Sequence, residues 1–136
     1  MSQEITSILV VEDDPQVLLL LGATLDTEGY TVLACGSGEE ALVSVSETHP
    51  SLVVLDIGLP GLDGFATCLG IRELSEVPIV MVTGRAAPED KIRGLQVGAD
   101  AYITKPFRPG ELMARVKAVL RRSSSLAIPI APPAHG

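Results

Sequence analysis

The chain reads as an alternating α/β domain, a three-layer sandwich in which five helices flank a five-stranded parallel sheet. Three observations predict this. Apolar runs begin near residues 8, 30, 51, 78 and 100, the spacing of a strand plus its crossover helix. Helical patterns with readable starts lie between the runs. Each run is continuous and ends on a polar residue, as expected of strands buried on both faces. Right-handed crossovers leave few topologies, and 2-1-3-4-5 is the common order for five strands, so that order is chosen from known arrangements.

The first run, Ile8-Leu9-Val10-Val11, leads into Glu12-Asp13-Asp14. Asp14-Pro15 then supplies an N-cap and an N1 proline for helix one, whose stripe is Val17, Leu18, Leu21 and Leu25, with Gly29 as its stop. After the second run, Ser37-Gly38-Glu39-Glu40 forms a capping box for helix two, with Ala41, Leu42 and Val45 facing inward. Leu52-Val53-Val54-Leu55 leads into Asp56. Helix three follows Asp63-Gly64, with Phe65, Ala66 and Leu69 as its expected buried face and Gly70 weakening its middle.

Ile79-Val80-Met81-Val82 leads into Thr83. Helix four, roughly 88 to 97, is the poorest helix; Ile92 and Leu95 are its expected anchors and Gly98 its stop. Ala101-Tyr102-Ile103-Thr104 delivers Lys105-Pro106. Helix five, about 109 to 122, carries the stripe Leu112, Met113, Val116, Val119 and Leu120. Residues 1–122 therefore form the expected domain, and the Ser-, Pro- and Ala-rich residues 123–136 read as tail or linker.

Composition narrows the function. The 136 residues suit one domain, and 46% hydrophobic with only 3% aromatic residues leaves aliphatic side chains to fill the core. No run approaches the ~18–20 apolar residues that cross a bilayer, so no membrane role is expected. The first residues lack a basic region followed by an apolar one, so no secretory leader is predicted. Cys35 and Cys68 have no metal-binding spacing and read as reduced thiols of a cytoplasmic protein. A net charge of −7 argues against direct binding to nucleic acid. The cations Arg115, Lys117, Arg121 and Arg122 are expected to complement the end of helix five.

Ligands of open α/β sheets gather beyond the carboxyl ends of the strands. In the chosen order Glu12, Asp13 and Asp56 meet at the switch point, with Thr83 and Lys105 on the next two strands. Clustered carboxylates repel one another and await a cation, and carboxylate oxygens with water suit Mg²⁺. Asp56 is the candidate nucleophile, because an aspartate can attack phosphorus and form an acyl phosphate. Lys105 supplies a point charge and Thr83 a hydroxyl for the equatorial oxygens.

The stretches Ile8–Asp14, Leu55–Gly64 (LDIGLPGLDG), Val82–Gly84 and Gly98–Phe107 (GADAYITKPF) resemble those of response-regulator receiver domains of two-component signalling. Residues 111–122 extend the likeness to receivers of winged-helix transcription factors. The resemblance covers residues ~6 to 122. It implies a flavodoxin-like fold in which Asp56 accepts a phosphoryl group from the phosphohistidine of a sensor kinase or phosphotransfer protein. Mg²⁺ would be held by Asp13, Asp56 and the Gly58 carbonyl, with Glu12 acting through a bound water. Lys105 would pair with Asp56 or its phosphate, across a cis Lys105-Pro106 bond. Thr83 would move to the phosphate and Tyr102 swing inward, a two-state element biased by local charge.

The resemblance further implies a homodimer through helix four, strand five and helix five, with Lys91, Glu111 and Arg115 as contacts. Ala101 departs from an acidic residue that related chains use there. Gly58 and Arg85 flank the phosphoryl site: the first leaves it open to water, while the second either shields the phosphate or pairs with it. Such a protein modifies itself and is not an enzyme in the usual sense. Two alternatives were weighed. A haloacid-dehalogenase-like phosphatase uses similar residues, but with its nucleophile on the first strand in D-x-D, and Asp56-Ile57-Gly58 lacks the second carboxylate. A flavodoxin-like docking module that is never phosphorylated would not require the whole set of polar strand tips.

Overall fold

The computed structural model describes residues 6–127. Strands and helices alternate as β1 (Ser7–Val11), α1 (Pro15–Thr27), β2 (Thr31–Cys35), α2 (Gly38–Thr48), β3 (Leu52–Leu55), α3 (Gly64–Leu74), β4 (Ile79–Thr83), α4 (Pro88–Gln96), β5 (Ala101–Thr104) and α5 (Pro109–Ala127). All neighbouring strands are parallel, in the order β2-β1-β3-β4-β5. β1 and β3 are therefore adjacent, with Val11 paired to Leu55.

The two-residue period of the strands divides the interior into two layers. Leu9, Val11, Val53, Leu55, Met81 and Tyr102 pack toward Ala41 and Val45 of α2 and Phe65, Cys68 and Ile71 of α3. Ile8, Val10, Val54, Val82, Ala101 and Ile103 pack toward Leu21 and Leu25 of α1 and Leu112, Val116 and Val119 of α5. The central strands are buried on both faces, which explains their unbroken apolar runs.

Capping fixes where the helices begin. Asp14 accepts the Gln16 amide, Ser37 that of Glu40, and Asp63 that of Ala66. The return bond of the α2 box runs from Gly36 N to Glu40 Oε1 at 2.8 Å, one residue earlier than the simple pattern. Gly29 and Gly98 end their helices at φ +91° and +118°, backbone angles that suit glycine.

Three sequence expectations need correction. The buried face of α3 is Phe65, Cys68 and Ile71, whereas Leu69 is 52% exposed. The expected α4 anchors Ile92 and Leu95 are 56% and 45% exposed, and the one buried residue of that helix is Gly94. A side chain at position 94 would stand 2.9 Å from Met81 Sδ and the Tyr102 ring, so α4 packs through its backbone. α5 continues past residue 122 to Ala127, taking in Ser123–Ser125. No glycine or proline interrupts that stretch before Pro129, and proline disfavours helix in the residue before it. The rest of the expected tail, 128–136, lies outside the described residues.

A half-buried cation ties the far end of the sheet. The Arg72 guanidinium donates to the carbonyls of Val77 (2.6 Å) and Gly98 (2.8 Å) and meets Asp100 Oδ2 at 3.2 Å. Asp100 Oδ2 also accepts the Ile79 amide at 2.8 Å. α3 is thus joined to the starts of β4 and β5, which aligns their opposite tips.

Candidate functional site

Glu12, Asp56 and Lys105 each stand one step beyond a strand, still held by the sheet. Glu12 N donates to the Cys35 carbonyl and Asp56 N to the Val11 carbonyl, both at 3.1 Å. Lys105 N donates to the Thr83 carbonyl at 2.8 Å. The ladder therefore fixes three backbones whose side chains leave the apolar layers together at one rim.

At that rim Glu12, Asp13 and Asp56 each present a carboxylate oxygen within 4.8 Å of the others. Glu12 and Asp56 are buried while Asp13 is exposed, so the cluster opens to solvent on one side. Lys105 Nζ lies 2.9 Å from Glu12 Oε1 and 3.6 Å from Asp56 Oδ2. Three carboxylates facing one ammonium leave an excess of two negative charges. An all-oxygen set with that excess fits a hard divalent cation. Burial pushes the Glu12 carboxyl above its ordinary range and the Asp56 charge adds to the rise, while the Lys105 and Asp14 hydrogen bonds oppose it.

The neighbouring residues frame this rim. Gly58 sits beside Asp56: a side chain there would come within 3.9 Å of Asp56 Oδ2. Thr83, buried at the tip of β4, accepts the Arg85 amide on its hydroxyl at 3.3 Å. The Lys105-Pro106 peptide is cis. The helix that follows the Asp56 loop starts at Gly64, where a side chain would collide with the Asp56 carbonyl.

The response regulator receiver domain family matches residues 8–117. This chain is a response regulator receiver domain. Among curated relatives, the receiver is 42% identical to ycf27 of Porphyra purpurea over 136 residues, covering all of this chain and 56% of that protein. It is 47% identical over 116 residues to the DNA-binding response regulator MtrA of Mycolicibacterium smegmatis, covering 85% of this chain and 51% of MtrA. The chain thus spans about half the length of the curated relatives it matches. Among solved structures, a CheY-like receiver domain protein of Methanospirillum hungatei superposes with TM-score 0.86 at 30% identity, covering 91% of this chain and 100% of that one. The BeF₃-activated N-terminal receiver domain of Klebsiella pneumoniae RstA gives TM-score 0.82 at 37% identity, covering 85% and 99%. The fold and family expected from the sequence are those found.

Within the receiver, Glu12, Asp13, Asp56 and Lys105 come together as the strand order requires. Tyr102 lies apart from them, beneath α4. It is 4% exposed, and its hydroxyl donates to the Arg85 carbonyl at 2.7 Å. The ring is accommodated there because Gly94 leaves room above it and the Arg85 carbonyl provides a partner for its hydroxyl. Burial, and after it the Asp90 charge, pushes the Tyr102 hydroxyl up, so it remains a donor at neutral pH.

Sequence reasoning missed two contacts. Arg85 pairs with Asp90 in the first turn of α4, at 3.2 Å from NH2 to Oδ1. Arg93 lies over the Phe65 ring, 4.1 Å from its centroid. The i, i+5 spacing of Arg85 and Asp90 spans a loop–helix boundary, where no periodic signal marks a pair.

Proposed function

We propose that Asp56 is the phosphoacceptor of this receiver, taking its phosphoryl group from a phosphohistidine of a sensor kinase or phosphotransfer protein. The observation that carries this reading is the convergence of Glu12, Asp13, Asp56 and Lys105 at one rim. Asp13 and Asp56, with the Gly58 carbonyl, would hold Mg²⁺, and Glu12 would act through one of its waters. The bound ion would neutralise charge on the phosphoryl oxygens. Asp56 would supply the attacking oxygen, with the Lys105 ammonium at ion-pairing distance, 3.6 Å, from its Oδ2. Lys105 can follow the new charge, because it is shared between Glu12 and Asp56 rather than committed to one.

Thr83 would donate its hydroxyl proton to the phosphoryl group while its oxygen goes on accepting the Arg85 amide. Tyr102 is its partner in the switch. Since that ring is already buried, phosphorylation stabilises an existing arrangement rather than creating one. The output face is α4, β5 and α5. Lys91, Ile92 and Leu95 are exposed on α4, and Glu111 and Arg115 on α5; a second copy of the chain is the partner that face would take. Single exposed ion pairs contribute little, so the dimer depends on the apolar pair. Because MtrA is named a DNA-binding regulator, control of transcription is the proposed end of the signal, exerted through another domain or partner. The chemistry is performed on the receiver itself, so the chain is not an enzyme in the usual sense.

Treatment with acetyl phosphate and Mg²⁺, followed by intact-mass measurement, tests the assignment. One phosphoryl per chain is expected, absent without Mg²⁺ and absent in Asp56→Asn. A gain that persists in Asp56→Asn would move the acceptor elsewhere, and no gain at all would end the reading.

A further inference from the structure

We propose that Asp90 holds Arg85 in reserve as a ligand for the phosphoryl group, and that phosphorylation draws Arg85 off Asp90 and so loosens the first turn of α4. The inference rests on Asp56 being the phosphoacceptor.

The backbone of Arg85 is fixed at two points. Its carbonyl accepts the Tyr102 hydroxyl at 2.7 Å and its amide donates to Thr83 Oγ1 at 3.3 Å. Only its side chain is free to change partner. That side chain meets Asp90 through Nε (3.3 Å) and NH2 (3.2 Å), longer than a tight charge-assisted pair. It is 49% exposed against 21% for Asp90, so solvent already competes for the guanidinium.

The guanidinium also neighbours the first turn of α3, the helix that follows Asp56. Its carbon lies 5.7 Å from the Phe65 ring centroid. Phe65 follows Gly64, which is pressed against the Asp56 backbone. A phosphoryl group would offer the planar fork two oxygens and more charge than a carboxylate does. Asp90, once released, still complements the amino end of α4.

Loss of the pair would be felt along the helix. α4 buries no side chain of its own, and its remaining ties are Gly94 on Tyr102 and Arg93 on Phe65. A change at Asp90 therefore reaches the exposed Ile92 within one turn and Leu95 within about a turn and a half, which converts a charge event at the rim into a change on the output face.

Beryllium fluoride, used with Mg²⁺ as a phosphoryl mimic, tests the exchange by calorimetric titration and by amide hydrogen exchange over residues 88–93. Asp90→Asn should tighten binding roughly two- to fivefold, the worth of an exposed ion pair, and should speed α4 exchange before ligand is added. Arg85→Gln should weaken binding, and the double variant should match Arg85→Gln alone. If Asp90→Asn binds like wild type, the latch is overturned and the phosphoacceptor reading stands. If Asp90→Asn still tightens binding in the Arg85→Gln background, a general charge effect replaces the latch. If wild type shows no Asp56-dependent binding, both readings fall.

Discussion

Lys105 is closer to Glu12 than to Asp56, and this small asymmetry shapes the chemistry of the site. The ammonium stands nearest the most buried carboxylate and pairs more loosely with Asp56, so Asp13 is the least neutralised of the three. If these carboxylates hold Mg²⁺ as proposed, Asp13 is the ligand whose loss metal binding should feel most. At tenfold excess over its Kd, Mg²⁺ should stabilise the receiver by about 1.4 kcal/mol. Asp13→Asn should lose most of that gain while being more stable than wild type in chelator, because one repelling charge is gone. Urea unfolding with and without Mg²⁺ measures both effects, and a full Mg²⁺ response in Asp13→Asn would remove Asp13 from the ligand set. These carboxylates were legible in the sequence because each ends an apolar run, and strand ends of a parallel sheet converge. Arg85 was legible as a neighbour of the site, but its pairing with Asp90 and that of Arg93 with Phe65 were not, since those partners are chosen by tertiary packing alone.

Among the elements, those that pack through side chains could be read and those that pack through backbone could not. α1, α2 and α5 showed their faces as apolar stripes. α4 presents Gly94 to the sheet, and α3 approaches α2 at Gly70, where a side chain would stand 2.9 Å from Leu42 Cδ2. A missing side chain gives no hydrophobic signal, so attention goes to exposed leucines such as Leu69 and Leu95. Gly94→Ala tests this account. Better helix propensity would favour the variant by about 1 kcal/mol, yet crowding against Met81 and Tyr102 should leave it about 1–2 kcal/mol less stable than wild type. In a Tyr102→Leu background, which removes the ring, most of that penalty should vanish in denaturant unfolding. A stabilising Gly94→Ala would show that α4 does not rest on the ring.

At the scale of the whole molecule, the interior layer that faces α2 and α3 holds two thiols that resist ionisation. Burial pushes the Cys68 thiol up from 9.0 to about 11, and the Cys35 thiol likewise. A raised folded-state value means that the unfolded chain ionises first. The stability present below pH 9 is therefore lost as pH rises toward 11, about 2–3 kcal/mol of it through Cys68. Unfolding free energies across that window should fall less steeply in Cys68→Ala; an unchanged slope would assign the loss elsewhere. The architecture itself was plain from strand spacing, although its order had to be selected rather than deduced. The Glu12–Lys105 bridge joins positions 93 residues apart, at opposite ends of that order of synthesis. A nascent chain emerging from the ribosome displays its acidic tips long before the lysine that restrains them is made. Those tips repel one another until the fifth strand docks, so a truncated translation product has the carboxylates of a receiver without the counter-charge that makes them a working site.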